Sequence, residues 1–367
     1  MNTHPSLHFG ILASFALAGC TADPDPIVCD GGLVLFRGSC IDPVRRYEPS
    51  AQLDDDNVVA YGDPVTDIIL PAPPKSGFRI VAPPRTIAVG EEVEFCLSWP
   101  IPDLTHDVIH AARLYTTGGL HHSNVIAKPI NEDAGPNPYP DCHPGAASPV
   151  GNIGAGIPDV LFANSTQVEG QETIAFGTGM GYVLDTTREI ATDIHFLNTR
   201  SDPLRIEVVY DFFTMPRSEL TQEVAPFVVN IEEFSVPPHT TEVVEASCTA
   251  FGGNIAMIMP HTHDLAQRFT VDLLSAGGGE KRVFDDGPFD SASDIQRYDP
   301  ALNIDEAERM RHQCTFVNSR DIEVHYGIGT NEMCVLFGYV YPPEKQFVGT
   351  VSKDGGPCSA IQLGLFR

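Results

Sequence analysis

The sequence predicts an all-β protein built from two β-sandwich domains in tandem. Its 32 glycines and 31 prolines separate many short runs rich in β-branched and aromatic residues, which is the pattern of antiparallel sandwiches. The best helix candidate is short, at residues 305–311. With 367 residues, of which 42% are hydrophobic, the chain is long enough for two domains of ordinary size with their own cores.

Residues 1–19 are predicted to be an export signal. Residues 9–18 form an apolar run too short to span a bilayer as a helix, and the run ends at Leu17-Ala18-Gly19-Cys20. This ending resembles a bacterial lipoprotein signal, which implies acylation of Cys20 and an anchor in the outer membrane of a Gram-negative bacterium. A plain secretory signal, cut at a nearby small residue, is the alternative, and both interpretations predict an exported protein.

Three segments are predicted after the signal. Residues 20–74, rich in Asp and Pro, are interpreted as a lipid-anchored tether with one small disulfide loop, and residues 75–215 and 216–367 as the two sandwich domains. Acidic residues outnumber basic ones by 49 to 22, which gives a formal charge of −27. Such a charge disfavours nucleic acid and anionic membrane surfaces as partners, so the lipid anchor is the only membrane contact expected.

The cysteines predict disulfides in an oxidising compartment. Of the nine cysteines, Cys20 is assigned to the lipid, which leaves an even number. Cys29 and Cys40 are expected to pair with each other in the tether. The other six have no zinc-knuckle spacing and are interpreted as disulfides, with connectivity left open.

A copper site is predicted from His261-Thr262-His263 and Met333. On an extended strand, residues i and i+2 point to the same face, so His261 and His263 would present two imidazoles to one ion. A thioether added to imidazoles selects Cu(I). The alternative is that the two histidines follow a common surface strand pattern and that Met333 fills a core.

A second histidine group is formed by His121, His122 and His195. Adjacent strand residues face opposite sides, so the pair needs an irregular backbone, which Gly118-Gly119 could supply. Three histidines without methionine make an all-nitrogen site that copper also accepts. The alternative is two unrelated surface histidines and one packing histidine.

The order of these motifs resembles the copper type II ascorbate-dependent monooxygenases, the peptidylglycine α-hydroxylating and dopamine β-hydroxylating enzymes. The resemblance covers about residues 93–358. In chain order the motifs are Cys96 and Cys142 on either side of His121-His122, Ile194-His195-Phe196 followed by Asp202-Pro203, Cys248 before Pro260-His261-Thr262-His263, and Glu332-Met333-Cys334 followed by a strand ending in Tyr341-Pro342.

The resemblance implies two jelly-roll-like sandwiches, each with one copper ion, that face a solvent cleft between them. It implies that the first histidine group is the electron-transfer site. His261, His263 and Met333 would be the catalytic site, which uses dioxygen and substrate. It also implies three disulfides: Cys96–Cys142, Cys248–Cys358 and Cys314–Cys334.

Departures from the family pattern predict an apolar substrate pocket. Met259 stands where the peptide-amidating members have an arginine, and Val335 and Phe337 stand where they have asparagine and tyrosine. The prediction is therefore an exported copper monooxygenase that hydroxylates a C–H bond of a small apolar or aromatic substrate, with dioxygen and ascorbate or another reductant. The alternatives are a non-catalytic copper-binding or copper-carrying lipoprotein, and a metal-free binding module; the six candidate ligands argue against the latter.

Overall fold

A computed structural model of the chain describes residues 34–36, 39–41, 58–61, 70–82, 84–129, 159–163, 168–198, 200–287, 295–327 and 331–363. Within these ranges the chain forms β-strands and two 3-10 turns, at Arg217–Glu219 and Pro343–Lys345, and no α-helix. The all-β prediction is confirmed. The helix candidate at 305–311 is wrong, because Ala307–Val317 is a strand whose side chains alternate between buried and less buried positions with period two.

The described strands before residue 216 are those of the first domain, preceded by a separate two-stranded sheet formed by the first two strands. They are β1 (Val34–Phe36), β2 (Ser39–Ile41), β3 (Val58–Tyr61), β4 (Gly77–Val81), β5 (Arg85–Ile87), β6 (Glu92–Pro100), β7 (Val108–Pro129), β8 (Asp159–Ala163), β9 (Val168–Ala175), β10 (Met180–Val183), β11 (Arg188–Leu197), β12 (Leu204–Ile206) and β13 (Val208–Met215). The strands β1–β3 fall within the segment predicted as a tether, and β3 pairs in parallel with β4.

The second domain follows in the same style. After β14 (Gln222–Glu223), which pairs in parallel with β10 of the first domain, its strands are β15 (Ala225–Ile231), β16 (Ser235–Val236), β17 (Thr241–Thr249), β18 (Asn254–His261), β19 (Ala266–Ser275), β20 (Glu280–Asp286), β21 (Gln296–Asn303), β22 (Ala307–Val317), β23 (Val324–His325), β24 (Val335–Tyr341), β25 (Phe347–Val351) and β26 (Cys358–Gln362). A sheet of order β21-β18-β24-β15-β25-β26 and a sheet of order β17-β22-β19-β20 share one apolar core.

The long strand β7 organises the first domain, since β8, β9, β10, β11 and β13 all pair with it. Gly118 and Gly119 interrupt it with φ of 96° and 72°, values that favour glycine. Beyond them, His195 of β11 pairs with His122, but the next residue, Phe196, pairs with Leu120. His121 is therefore the extra residue of a β-bulge, which re-aims its side chain.

The two domains pack directly on each other. The apolar core of the first domain continues into second-domain residues that include Met257 and Phe337. The Tyr339 hydroxyl, from β24, donates to the carbonyl oxygens of Val160 and Leu161 in β8 at 3.1 Å each. The solvent cleft expected between the domains is therefore absent from the region where these described strands meet, because the facing side chains are apolar and bury one another.

Several predictions concern parts of the chain that the structure does not describe. The signal, Cys20, Cys29 and Cys142 lie outside the described residues, and for Cys40 and Cys96 only the strand backbone is described. The pairs Cys29–Cys40 and Cys96–Cys142 thus stay predictions. Among the described residues, no helix has the length and apolar character needed to cross a membrane.

Candidate metal centre

Five buried histidines from both domains gather at one place. They are His121 and His122 in β7, His195 in β11, His261 at the end of β18 and His263 two residues later. In each of two combinations, His121 with His122 and His195, and His122 with His261 and His263, one ligand atom per residue lies within 4.8 Å of the others. His122 belongs to both combinations, which are called here the first-domain triad and the cross-domain triad.

The first-domain triad has the spacing of a metal coordination shell. The Nδ1 atom of His122 lies 3.2 Å from Nδ1 of His121 and 3.4 Å from Nδ1 of His195. Bonds of about 2.0–2.1 Å, as zinc makes to imidazole, place nitrogen ligands about 3.3–3.6 Å apart in tetrahedral or trigonal geometry. Because the bulge at His121 brings two neighbouring imidazoles to the same side, the three nitrogens converge on a single point.

Glu92 orients His195 from the side opposite the triad. Its Oε1 lies 2.6 Å from Nε2 of His195. The strand register places Glu94 opposite His195, so Glu92 is the diagonal neighbour on the same face. A proton on Nε2 leaves Nδ1 with a free lone pair for a metal, which is the carboxylate–histidine arrangement common around metal sites. The sequence pattern alone did not identify Glu92.

We expect Glu92→Gln to weaken copper binding at the first-domain triad by about 10–100-fold, the range typical for loss of such a partner. A competition titration with a Cu(II) chelator measures the change. Glu189→Gln is the matched control, because it removes an equal charge from β11, the strand that carries His195, while its carboxylate pairs with Lys128 at 2.6 Å. An equal loss of copper affinity in the two variants would show that the effect of Glu92 comes only from its charge and not from its hydrogen bond to His195.

The backbone of the following segment fixes His263. Its Nδ1 donates to the carbonyl oxygen of Asn331 at 2.8 Å. Its Nε2 is buried and has no hydrogen-bond partner among the described residues. Burying a polar atom without a partner is costly, and a metal ion bound at this imidazole nitrogen would remove that cost.

Glu332 joins the two segments that carry the second group of candidate ligands. Its side chain is fully buried, and its carboxylate oxygens accept hydrogen bonds from the backbone N–H groups of His263 at 2.9 Å and Leu265 at 2.6 Å. Met333 follows directly, so its backbone is held one residue from this anchor. The sequence analysis recorded Glu332 only as part of a motif and missed its role.

Met333 is partly buried and packs against the apolar cluster shared by the domains. The three predicted pocket residues, Met259, Val335 and Phe337, belong to the same cluster and are only 5%, 5% and 8% exposed. Thus the residues predicted to line a substrate pocket do lie beside the candidate ligands. In the arrangement described here, neighbouring side chains of the first domain cover them.

The two predicted ligand groups are in contact instead of separated. The ring centroid of His263 lies 4.5 Å from that of His121 and 6.1 Å from that of His122. The His122 and His261 centroids are 5.7 Å apart. The expectation that the two groups face each other across solvent is therefore wrong for this structure. The domains pack on each other through apolar side chains, and this packing brings the two histidine groups into contact.

Burial keeps these imidazoles neutral. It lowers the pKa of His122 and His263 well below the usual value, with repulsion from neighbouring histidines adding to the effect. Burial also lowers the pKa of His195, against the opposing influence of Glu92, and lowers the pKa of His261 to about 4. Neutral imidazoles bind metals, so the cluster is ready for a metal at neutral pH.

The metal-free protein is expected to lose stability as the pH falls from about 6.5 to about 4. Burial lowers the pKa of His261 and of the non-ligand His312 to about 4 in the folded chain. The unfolded chain, with ordinary histidines near 6.5, binds more protons in this window, and each group removes up to about 3 kcal/mol. Denaturant titrations at several pH values measure the slope. His312→Phe should flatten it, and an unchanged slope would contradict the assignment.

Among the residues that the structure describes, Cys248–Cys358 and Cys314–Cys334 form disulfides, and these are two of the three pairings that the resemblance implies. The first joins β17 to β26 of the second domain. The second joins β22 to the residue after Met333. The segment that carries Met333 is thus held by Glu332 on one side and by a covalent bond on the other.

Comparison with known protein families gives one match, which lies within the second domain. Residues 226–354 match the family described as "Copper type II ascorbate-dependent monooxygenase, C-terminal domain". The matched segment contains His261, His263 and Met333, whereas the first-domain triad lies outside it. No curated protein matches the chain.

Solved structures add only weak likenesses. The PBSX exported protein XepA is 8% identical, with 81% of this chain and 100% of that chain covered and a TM-score of 0.21. PNGase F, a glycosylasparaginase from Flavobacterium meningosepticum, is 9% identical, with coverages of 76% and 100% and a TM-score of 0.31. Recombinant N-glycanase F is 10% identical, with coverages of 78% and 99% and a TM-score of 0.31. Scores this low carry no argument about function.

Proposed function

We propose that this protein is a copper-dependent monooxygenase, because residues 226–354 match the C-terminal domain of the copper type II ascorbate-dependent monooxygenases. It hydroxylates a C–H bond of a small apolar or aromatic substrate, with dioxygen and ascorbate or another external reductant. The observation that carries the proposal is the buried, unpaired Nε2 of His263 beside converging imidazoles. Copper bound by these residues supplies the one-electron chemistry that activates dioxygen.

The residues of the chain have distinct tasks in this proposal. His121, His122 and His195 hold one copper ion, and Glu92 keeps His195 in the tautomer that binds through Nδ1. His261, His263 and Met333 hold the second. There the carbonyl oxygen of Asn331 fixes the His263 tautomer. Glu332 fixes the distance between the histidine segment and the methionine segment. Met333 contributes the soft thioether that favours the reduced ion.

The pocket residues favour an apolar substrate. Met259, Val335 and Phe337 offer no charged partner for a carboxylate, and leaving a carboxylate unpaired in a desolvated pocket is costly. An apolar ligand instead gains roughly 25 cal/mol per Å² of apolar surface buried.

Two arginines that could restore carboxylate binding are engaged elsewhere. Arg268, on β19, forms a two-point ion pair with Asp285 at 2.7 and 2.5 Å. Arg113, on β7, donates to Thr173 and lies over the Phe213 ring. Glycine-extended peptides are therefore not expected to be substrates.

The cellular setting is part of the proposal. The leader and Cys20 support export and a lipid anchor, with the catalytic domains outside the cytoplasm, where an oxidising compartment also suits the disulfides. The anchor and the outer-membrane location rest on the sequence alone.

The test is an assay of the copper-loaded protein with ascorbate and a panel of neutral aromatic and aliphatic compounds, beside a glycine-extended peptide. We expect about two copper ions per chain by metal analysis, because the candidate ligands form two sets. Oxygen uptake should be coupled to hydroxylation of an apolar compound. Efficient peptide amidation would contradict the apolar-pocket proposal.

The second candidate function is copper binding or transport without catalysis. The close burial of the ligands and of the pocket wall favours it, since both are features of a site that retains metal. Tight copper binding without substrate-dependent oxygen uptake, across the whole panel, would favour this alternative.

A further inference from the structure

We propose that the cross-domain triad of His122, His261 and His263 is an alternative copper site, which shares its ligands with the two sites proposed above and keeps the two domains closed when it holds one Cu(II) ion. The proposal rests on the proposed function only in that the metal is copper. It differs from that function because it takes one ligand from the first-domain set and leaves Met333 out.

The first argument is geometric. One ligand atom of each of the three residues lies within 4.8 Å of the other two, and all three side chains are buried. The centroids of His261 and His263 are 5.5 Å apart, similar to the 5.7 Å between His122 and His261. His122 of the first domain therefore lies about as close to His261 as His263 does, although His263 is only two residues from His261 in the chain. Small side-chain rotations close such a set around one ion.

The second argument is the unpaired nitrogen of His263. Its Nδ1 is occupied by the Asn331 carbonyl oxygen, and its Nε2 has no partner within the described parts of the chain. The ring of His122 lies parallel to that of His263, with 14° between the planes. A metal between the domains would satisfy the His263 nitrogen and convert a cost of burial into a bond.

The third argument concerns which copper ion the site selects. Three imidazoles without a thioether suit Cu(II), whereas the thioether of Met333 favours Cu(I). When an external reductant gives one electron to the bound Cu(II) ion, the resulting Cu(I) would prefer the thioether of Met333 to the imidazole of His122 as its third ligand. His122 is then free to return to the first-domain triad, and the metal no longer ties the domains together.

The closed arrangement also explains the covered pocket. Met259, Val335 and Phe337 are buried in the apolar cluster that both domains share, so a substrate reaches them only when the domains separate. Cu(II) in the cross-domain triad stabilises the closed state, and reduction releases it. In this proposal the redox state of the copper ion determines whether the substrate can reach the pocket.

The experiment begins with the full chain carrying His121→Ala and His195→Ala, which leave His122 as the only ligand of the first-domain triad. Pulsed electron paramagnetic resonance on this variant with one equivalent of Cu(II) should count three coordinated imidazoles. Adding His122→Ala should reduce the count to two and weaken Cu(II) binding by more than about tenfold, as loss of a direct ligand exceeds loss of an orienting partner. Adding Met333→Ile instead should leave the count of coordinated imidazoles at three. Two imidazoles with His122 present would overturn the proposal.

A second measurement does not depend on the folding of the triple variant. Small-angle X-ray scattering of the double variant should show a smaller radius of gyration with Cu(II) than with Cu(I). Equal radii would contradict the closing role. Failure of the wild-type chain to bind any copper would refute the proposed function as well. Copper-bound wild type with only two imidazoles at the second-domain site would refute this inference alone.

Discussion

Replacing Met333 with isoleucine is expected to abolish copper-dependent hydroxylation while the fold and most Cu(II) binding remain. Isoleucine has similar bulk but no sulfur donor, so the partly buried side chain should pack in the same apolar cluster. Without the thioether the site loses its preference for Cu(I), the state that must form before dioxygen is used. Loss of an orienting partner costs about 10–100-fold, so loss of the ligand itself should cost more than about a hundredfold in rate.

X-ray absorption of the reduced protein provides the direct test, since a sulfur scatterer at the copper should disappear in Met333→Ile. Met310→Ile is the matched control, because Met310 is a buried methionine of the second-domain core and belongs to a different apolar cluster from the pocket residues. It should retain the sulfur signal and the activity. An unchanged sulfur signal in Met333→Ile would mean that Met333 is only a packing residue.

The grouping of the candidate ligands could be predicted from sequence where their geometry is local. His261 and His263 are two residues apart beside the end of a strand, and the Gly118-Gly119 interruption, visible in the sequence, accompanies the bulge that brings His121 and His122 together. Short runs rich in β-branched and aromatic residues also predicted the strands. Such features depend on the backbone periodicity of a few neighbouring residues.

The partners of the ligands could not be predicted in this way. Glu92 meets His195 from 103 positions away, and Glu332 reaches His263 from 69 positions away, so each contact depends on strand register. Contact between the two histidine groups depends on how whole domains pack. An apolar sheet face indicates that something will cover it, but the sequence does not say that the covering surface is the other domain.

The two disulfides of the second domain are expected to contribute differently to stability and to the site. Cys248–Cys358 closes a loop with a sequence separation of 110, and Cys314–Cys334 a loop with a separation of 20. By loop-closure entropy the longer loop stabilises the fold by about 5 kcal/mol and the shorter one by about 3 kcal/mol. The double variant Cys248→Ala/Cys358→Ala should therefore be the less stable of the two double-alanine variants.

The two double-alanine variants should rank in the opposite order when the sulfur ligand at the copper site is measured instead of stability. Cys334 follows Met333 directly, so removing Cys314–Cys334 frees one end of the segment that carries the thioether, while Glu332 still holds the other end. Cys248–Cys358 joins strands whose residues supply no candidate ligand. Denaturant unfolding of the metal-free variants gives the stability order, and X-ray absorption of the reduced copper forms gives the order of sulfur loss. If Cys248→Ala/Cys358→Ala lost the sulfur signal and Cys314→Ala/Cys334→Ala kept it, the positioning role of the shorter disulfide would be refuted, because its adjacency to Met333 would then have no effect on the thioether.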